Sequence, residues 1–388
     1  MKRKICVVTG SRAEYGLLKP LLEEMKHDKQ IEVLLIATGM HLSPEFGLTY
    51  REIEKDGFFI DEKVKMPLDS DTPVGISKSI GIGLINFAEA YRRLKPNIIV
   101  VMGDRFELLS AVIAALVAKI PVAHINGGEI TEGAFDDAIR HCITKMSHLH
   151  FVSTNIYRKR VIQLGEDPRR VFNVGHLSLD SIMRTKFLSK KALEKELNFK
   201  FNVRNLLVTF HPVTLEQNAA KKQFQCLLGV LGELKDTNII FTKSNADTGG
   251  RIINNMVDEY VSKHKNKTIA FISMGQLKYF SAMQFVDALI GNSSSGIVEA
   301  PAFKIGTINI GDRQKGRIKV GSIIDCLPAQ KDIKKAIRKL YSNEFQKKLK
   351  KIIHPYGDGS GAKKIKNIIK TYKIKNILKK SFYNVSFK

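Results

Sequence analysis

Cysteine is scarce in this 388-residue chain, and no two cysteines form a Cys-x-x-Cys motif. The four are Cys6, Cys142, Cys226 and Cys326. This pattern indicates neither a zinc site nor a disulfide framework, and it favours a reducing, cytoplasmic location. Long apolar runs are also absent, because the longest, Leu108–Ala118, is far shorter than the roughly 20 residues that a membrane span needs. The sequence therefore predicts neither export nor membrane insertion.

Acidic residues are few relative to basic ones, with 38 Asp and Glu against 63 Lys and Arg and a formal net charge of +25. Such a charge suggests nucleic acid, an acidic membrane or an anionic substrate as the partner. The segment from Lys331 to the end holds 18 basic and three acidic residues, so it carries +15 of the total. The remaining body is modestly basic, as expected for an enzyme with a phosphate-bearing ligand. No basic motif interleaved with aromatic residues appears, which disfavours nucleic-acid binding.

Short β-branched runs alternate with helical patterns, which is typical of βαβ units around a parallel sheet. The first half contains predicted strands at 5–9, 33–37, 98–102, 122–125, 151–154 and 171–174. After a Lys- and Glu-rich connector, further strands follow at 206–210, 239–242, 268–272, 288–290 and 307–310. We therefore predict an α/β protein with two Rossmann-like, doubly wound domains facing a cleft. The predicted limits are 1–185 and 205–362 for the two domains and 363–388 for a Lys-rich C-terminal helix or tail.

The sequence lacks the common nucleotide-binding fingerprints. No G-x-G-x-x-G follows a predicted strand and no G-x-x-x-x-G-K-[ST] occurs, so NAD and ATP sites of those types are not expected. Polar residues instead follow the strands, at the edge where ligands of such sheets bind. The loop after the first strand contains Arg12, and its backbone N–H groups can hold an anion. A tight turn with a surface arginine is the alternative reading of this loop.

Acidic residues follow consecutive strands of the first half, at Asp104, Glu129 and Asp136. Asp136 lies near a predicted helix start, where capping is its alternative role. Carboxylates that share a cleft raise one another's pKa, so these three predict both an acid and a base. The adjacent Gly127-Gly128 pair is expected to let a ligand approach the backbone.

Polar residues also follow the strands of the second half. His211 ends a strand before Pro212, and we expect an exposed side chain there that suits proton transfer. The segment 291–296, Gly-Asn-Ser-Ser-Ser-Gly, joins a strand to a helix, and its hydroxyls and N–H groups predict a diphosphate cradle, although a cap would need only one serine. The remaining candidates for ligand contact are Glu299, which is placed to accept hydrogen bonds from ribose hydroxyls, Arg313, Tyr356 and Gly357.

These motifs, in this order, resemble the hydrolysing UDP-N-acetylglucosamine 2-epimerases of sialic-acid-type sugar synthesis and their relatives in legionaminic acid synthesis. The resemblance runs from Lys4 to about Gly361 and is carried by segments 9–16, 38–41, 103–105, 139–141, 144–146, 211–212, 291–296 and 356–359. It implies a glycosyltransferase-B-like architecture, a nucleotide-sugar substrate, no metal or other cofactor, and homo-oligomerisation.

The resemblance also implies roles for individual residues. Those implied to hold UDP and its diphosphate are Arg12, Arg105, His211, Asn245, Ser293, Ser294, Glu299 and Arg313. Those implied to act at the sugar are His41, Asp104 and Asp136, and Glu129 and His211 are further catalytic candidates from their positions after strands. Non-hydrolysing relatives, and some hydrolysing ones, carry a Glu just before the Gly pair, where this chain has Asn126. The candidates for the base are therefore Asp104, Glu129 and Asp136.

The implied reaction removes the C2 proton while UDP leaves from C1, and the resulting 2-acetamidoglucal is then hydrated with protonation at C2 from the opposite face. Arginines and N–H groups at the diphosphate stabilise the departing charge. The leading prediction is conversion of UDP-N-acetylglucosamine to N-acetylmannosamine and UDP. The alternatives are the same reaction on UDP- or GDP-N,N′-diacetylbacillosamine, a glycosyltransferase of the same fold, and a basic nucleic-acid-binding protein.

Overall fold

A computed structural model describes residues 2–67, 70, 72–132, 134–212, 219–244 and 249–386. The chain forms two compact units. The first unit contains Met1–Glu129, Asp136–Arg184 and Tyr356–Lys388, and the second contains Ile130–Phe135 and Thr185–Pro355. Each unit holds one parallel sheet flanked by helices, which confirms the predicted α/β class with two Rossmann-like domains.

The first unit is built on a seven-stranded parallel sheet. Its strands are β1 (Arg3–Thr9), β2 (Ile31–Thr38), β3 (Glu62–Val64), β4 (Ile98–Met102), β5 (Val122–Ile125), β6 (Leu149–Val152) and β7 (Val171–Asn173). Their order across the sheet is β3-β2-β1-β4-β5-β6-β7, so the winding reverses between β1 and β4. Ligands of such sheets bind beyond the carboxyl ends of the strands at this reversal.

Seven helices precede the connector to the second unit within the described residues. They are α1 (Arg12–Lys26), α2 (Tyr50–Lys55), α3 (Pro73–Leu94), α4 (Phe106–Val117), α5 (Asp136–Met146), α6 (Asn155–Gln163) and α7 (Leu177–Arg184). The Ser11 and Thr154 side chains cap α1 and α6 by accepting hydrogen bonds from backbone N–H groups. The helix α1 buries Leu18, Leu22 and Met25 in the core of the sheet. Each such burial contributes about 1.5–3 kcal/mol.

The second unit has a six-stranded parallel sheet of the same plan in the described part of the chain. Its strands are β8 (Arg204–Thr209), β9 (Thr237–Thr242), β10 (Thr268–Phe271), β11 (Ala288–Gly291), β12 (Gly306–Ile310) and β13 (Ile323–Cys326), in the order β10-β9-β8-β11-β12-β13. Its helices are α8 (Lys190–Leu197), α9 (Ala219–Gly232), α10 (Gly250–Lys263), α11 (Gly275–Met283), α12 (Ser295–Val298), α13 (Gln330–Leu340) and α14 (Asn343–Lys350). The winding reverses between β8 and β11.

The C-terminal segment packs in the first unit and forms helix α15 (Gly361–Thr371). The sequence placed residues 356–362 with the second domain and 363–388 outside both, whereas the structure groups both segments with the first unit. Ile365 and Ile369 are fully buried in the core of that unit. The Asp180 carboxylate accepts hydrogen bonds from the N–H groups of Gly361 and Ala362 at 3.1 and 2.9 Å, which caps the helix. None of the helices described here is long and apolar enough to cross a membrane.

Candidate active site

The predicted site residues fall into two sets, one in each unit, and most lie in loops that follow strands. The first unit holds Arg12, His41, Asp104, Arg105, Glu129, Asp136, Tyr356 and Gly357. The second holds His211, Ser293, Ser294, Glu299 and Arg313. Asn245 lies outside the described residues. The loops after β1 and β4 and the loops after β8 and β11 flank the two reversals of winding, as expected for ligand sites in such sheets.

A buried arginine organises the acidic residues of the first unit. Arg140 is 2% exposed on α5, and its Nη1 lies 3.4 Å from Glu129 Oε2 while its Nη2 pairs with the Asp104 carboxylate. Burial by itself lowers the pKa of Arg140, but the two carboxylates outweigh it and raise that pKa. The sequence predicts carboxylates that face one another, whereas the structure inserts a guanidinium between two of them. Arg140 was not among the predicted site residues.

The remaining contacts of this cluster fix its carboxylates further. The Ser153 hydroxyl donates to Glu129 Oε1 at 3.2 Å, and Glu129 is buried. Asp136 is the first residue of α5 and is half-buried, one turn before Arg140. An acidic side chain at a helix N-terminus is stabilised by the helix dipole. The cluster therefore pairs two carboxylates with a single guanidinium, and Asp136 lies one turn earlier on the same helix.

The glycine pair after β5 is required by packing. A Cβ on Gly128 would lie 2.5 Å from the carbonyl oxygen of Tyr157, and Gly128 has a φ of +77°. A Cβ on Gly127 would lie 2.9 Å from Thr144 Oγ1. The two glycines therefore let this loop pack closely against α5 and α6, a requirement that the sequence interpretation did not include.

Arg105 is positioned by an acidic residue that the sequence interpretation missed. Its Nε lies 3.1 Å from Glu107 Oε2, and its Nη2 lies 2.9 Å from Glu107 Oε1. Glu107 is fully buried on α4, so this bidentate pair fixes the guanidinium plane. The sequence signal for this ion pair was Glu107 itself, an acidic residue two positions after Arg105 at the start of an apolar helix. Arg12 is half-buried in the first turn of α1.

His41 is a fully buried, neutral imidazole. Its Nδ1 lies 2.8 Å from Thr49 Oγ1 and its Nε2 lies 3.2 Å from Thr9 Oγ1. Burial lowers the pKa of His41 to about 3, so the ring carries no charge at neutral pH. Any contribution of His41 to catalysis is therefore that of a neutral hydrogen-bonding group.

In the second unit, Asn292 fixes the backbone of His211. The Asn292 Oδ1 accepts from the His211 N–H at 2.7 Å, and its Nδ2 donates to the His211 carbonyl at 2.8 Å. The His211 ring is 7% exposed, with Nδ1 at 3.2 Å from Ser244 Oγ. The sequence predicted an exposed side chain here, and this was wrong because the Asn292 clamp and Ser244 hold the residue inside the unit. Asn292 belongs to the predicted serine loop, but its organising role was not predicted.

The serine loop after β11 begins with a glycine that no other residue can replace. Gly291 has a φ of +138°, and a Cβ there would overlap the carbonyl oxygen of Thr209. Ser293 and Ser294 follow and are half-buried. Ser294 occupies the N-cap position of α12, yet its side chain makes no capping hydrogen bond. The capping alternative therefore does not explain Ser294. Because α12 has only four residues, the serine hydroxyls matter more for an anion than its dipole does.

Arg313 is anchored against the same loop. Its Nη1 donates to the Asn292 carbonyl at 3.2 Å, and the neighbouring Gln314 side chain donates to that carbonyl at 2.8 Å. The Nε of Arg313 is buried and has no hydrogen-bond partner in the described part of the chain. Glu299 directly follows α12 and is 9% exposed. Ser293, Ser294 and Arg313 are thus held around Asn292, a geometry suited to an anion.

Tyr356 and Gly357 belong to the first unit, whereas the serine loop belongs to the second. The Tyr356 ring is 1% exposed and packs edge-on against His176 at a centroid distance of 6.1 Å. Its carbonyl accepts from the His176 N–H at 2.8 Å. Gly357 is exposed with a φ of +105°, and it faces Gly175 closely. Of these two residues, Gly357 is the exposed one, whereas the Tyr356 side chain is buried.

Comparisons with known proteins give a consistent result. The profile of the family described as UDP-N-acetylglucosamine 2-epimerase matches residues 23–370. A Campylobacter jejuni protein named GDP/UDP-N,N′-diacetylbacillosamine 2-epimerase (hydrolyzing) is 48% identical over 345 residues, 89% of each chain. Polysialic acid biosynthesis protein P7 of Escherichia coli is 40% identical over 331 residues, 85% of this chain and 84% of that one. The crystal structure of UDP-GlcNAc 2-epimerase from Neisseria meningitidis bound to UDP-GlcNAc has a TM-score of 0.81 at 17% identity, covering 94% of this chain and 99% of that one, which shows the fold.

Proposed function

We propose, from the premise that this chain belongs to the UDP-N-acetylglucosamine 2-epimerase family, that it hydrolyses and epimerises nucleotide-linked N,N′-diacetylbacillosamine. The observation that carries the choice of sugar is the 48% identity, over 89% of both chains, to a relative named for that substrate. The products are then the free 2,4-diacetamido-2,4,6-trideoxy sugar of manno configuration and a nucleoside diphosphate. The resemblance connects this product with legionaminic acid synthesis.

UDP-N-acetylglucosamine is the second candidate, because it is the substrate in the description of the family. It differs from the diacetylbacillosamine substrate at two carbons, with a hydroxyl in place of the C4 acetamido group and a hydroxymethyl in place of the C6 methyl. Its product is N-acetylmannosamine, which the resemblance connects with sialic acid synthesis. The reaction at C1 and C2 is the same for both sugars.

The acidic cluster of the first unit supplies the proposed proton chemistry. Arg140 holds the Asp104 and Glu129 carboxylates in fixed positions, and Asp136 stands at the start of the same helix. One carboxylate takes the C2 proton while the nucleoside diphosphate leaves, and a second group returns a proton to the opposite face. Because one guanidinium serves two carboxylates, its positive charge does not neutralise the cluster, which keeps a carboxylate available as the base.

The proposed leaving-group contacts centre on the serine loop of the second unit. Ser293, Ser294 and Arg313 bind the diphosphate, with His211 and Glu299 at the nucleoside. The proposed role of Arg12 and Arg105 at the diphosphate comes from the resemblance alone. Fixed donors at a departing diphosphate lower the barrier because the negative charge develops there in the transition state. Asn245 remains a proposed nucleotide contact from the resemblance alone.

Nucleotide release from three substrates tests the proposal. The purified protein is given UDP-N-acetylglucosamine, UDP-N,N′-diacetylbacillosamine and the GDP form of the latter, and kcat/KM is measured for each. We expect a preference for diacetylbacillosamine of about tenfold or more, since polar and apolar groups at C4 and C6 discriminate on that scale. Asp104→Asn, which keeps the side-chain volume, serves as the inactive control. A preference for UDP-N-acetylglucosamine would select the second candidate.

One other outcome bears on the reaction class. Nucleotide release that requires an added acceptor sugar would indicate a glycosyltransferase instead.

Homo-oligomerisation, which the resemblance implies, is likewise a proposal, and light scattering coupled to size-exclusion chromatography measures it directly.

A further inference from the structure

Tyr279 on α11 contacts the third serine of the loop after β11. Its hydroxyl donates to Ser295 Oγ at 2.7 Å. Ser295 is 8% exposed, and Tyr279 is half-buried, with its ring 6.2 Å from that of Phe280 between centroids. This hydrogen bond ties α11 to the first residue of α12. The sequence interpretation included neither residue among the candidates for the site.

Ser295 in turn fixes the side chain of Ser293. The Ser295 N–H donates to Ser293 Oγ at 3.3 Å. A serine hydroxyl has one donor and two acceptor positions, so Ser293 keeps its O–H proton after accepting this bond. Within the described residues, the Ser293 hydroxyl donates to no protein group, and Ser293 is half-buried. The bond from Ser295 thus holds the Ser293 oxygen in place and leaves its proton for a bound molecule.

The first turn of α12 needs such support from its neighbours. A helix of four residues is unstable by itself, because helix formation is cooperative, and the Ser294 side chain at its N-cap makes no capping bond. Thr307 of β12 donates through Oγ1 to the Gly296 carbonyl at 2.6 Å. The Tyr279 hydroxyl holds the adjacent Ser295 from α11. Side chains from two different elements therefore fix this turn.

We propose that Tyr279 is a positioning residue for the diphosphate, because its hydroxyl fixes Ser295 and thereby the Ser293 hydroxyl that donates to the departing nucleoside diphosphate. This inference rests on the proposed function, which assigns the diphosphate to the serine loop. The oxygens of a diphosphate accept hydrogen bonds, so its site must supply donors, and donors that are already in place lower the barrier to departure. Tyr279 acts through the serines and needs no contact with the diphosphate itself.

The test replaces Tyr279 by phenylalanine, which keeps the ring and removes only the hydroxyl. Calorimetry measures the Kd of the nucleoside diphosphate that the wild type binds, UDP or GDP, and displacement titration measures the Kd of the matching nucleoside. Tyr279→Phe should weaken diphosphate binding about two- to tenfold, the range of one neutral hydrogen bond. Binding of uridine or guanosine, which lack phosphate, should not change.

Tyr341→Phe is the matched control. The Tyr341 hydroxyl donates to Asp287 Oδ2 at 3.1 Å, and Asp287 directly precedes β11, at the end of the strand opposite the serine loop. This variant loses the same kind of hydrogen bond in the same unit. Urea unfolding should show comparable destabilisation by the two substitutions, whereas Tyr341→Phe should leave the Kd of the nucleoside diphosphate unchanged.

Two serine variants separate the role of Tyr279 from the proposed function. Ser295→Ala should weaken diphosphate binding as Tyr279→Phe does, and the double variant should be no weaker than either by more than about twofold, because both remove one contact. Ser293→Ala removes the proposed donor itself. Unchanged diphosphate affinity in Ser293→Ala would contradict the proposed diphosphate site. A weakened Ser293→Ala with an unaffected Tyr279→Phe, additive losses in the double variant, or an equal loss for the nucleoside would overturn the role of Tyr279.

Discussion

Replacing Arg140 by methionine should destabilise the first unit strongly, because it leaves two carboxylates without their cation. The Arg140 and Glu129 side chains are each 3% exposed, and that of Asp104 is 22% exposed. Breaking a buried ion pair in this way costs about 3–5 kcal/mol of unfolding free energy. Most of this cost should come from Glu129, since water still reaches Asp104.

Neutralising the stranded carboxylates should restore stability without restoring activity. The triple variant Arg140→Met, Asp104→Asn, Glu129→Gln contains no uncompensated charge, so we expect it to recover more than half of the lost unfolding free energy. It should release no nucleotide, because the proton-accepting carboxylates are gone. Arg140→Lys should lie between these limits, since an ammonium is a point charge that lacks the fork needed to hold both partners.

Urea unfolding followed by circular dichroism measures these differences, and nucleotide release measures activity. Arg92→Met is the control, because Arg92 is exposed on α3 and its ion pair is with a residue one turn away; its midpoint should not change. Wild-type stability for Arg140→Met would refute the account of Arg140 as the buried organiser. A triple variant no more stable than Arg140→Met would refute the charge explanation.

Three further predictions follow from individual contacts. Burial lowers the pKa of His124 to about 3, below the 6.5 of an unfolded histidine. The free energy of unfolding should therefore fall as pH drops from 6.5 toward 3. In urea unfolding at a series of pH values, His124→Gln should reduce the slope of unfolding free energy against pH by up to about 1.4 kcal/mol per pH unit. Asn292→Ala removes both hydrogen bonds to the His211 backbone, so calorimetry should show UDP binding weakened about tenfold or more, and unchanged affinity would contradict the proposed nucleotide site. Lys380→Met removes a 2.6 Å contact to a buried carboxylate and should lower the free energy of unfolding in urea by about 1–3 kcal/mol. Lys379 is exposed, so Lys379→Met should cause no measurable change. Equal effects of the two variants would contradict an anchoring role for the tail.

The central strands were predictable because they are buried on both faces. The strands β4 and β5 have the same bounds as the runs 98–102 and 122–125, and such runs are continuous apolar segments in parallel sheets. The edge strands β3 (Glu62–Val64) and β13 (Ile323–Cys326) were missed, because they are short and include charged residues. Strand prediction from apolar runs therefore recovers the interior of a sheet better than its edges.

The loops that carry the site were predictable from their place after strands, but the contacts within them were not. Arg140 follows Ile139 in a helix that also carries exposed polar residues, and nothing local distinguishes a buried arginine from a solvated one. The Lys-rich tail was equally ambiguous, since Ile365 and Ile369 indicate an apolar face without indicating what covers it. The burial of Arg140 and the packing of the tail both depend on residues far away in sequence, such as Asp104 and Asp180.

Deuterium incorporation tests the central claim most directly. The protein is incubated in D₂O with UDP-N,N′-diacetylbacillosamine and, separately, with UDP-N-acetylglucosamine, and NMR follows nucleotide release and the sugar C2 position. A hydrolysing 2-epimerase must release UDP together with a free manno-configured sugar that carries deuterium at C2. Release of a sugar that keeps its C2 proton and its gluco configuration, or no release by folded protein that binds UDP, would contradict the assignment.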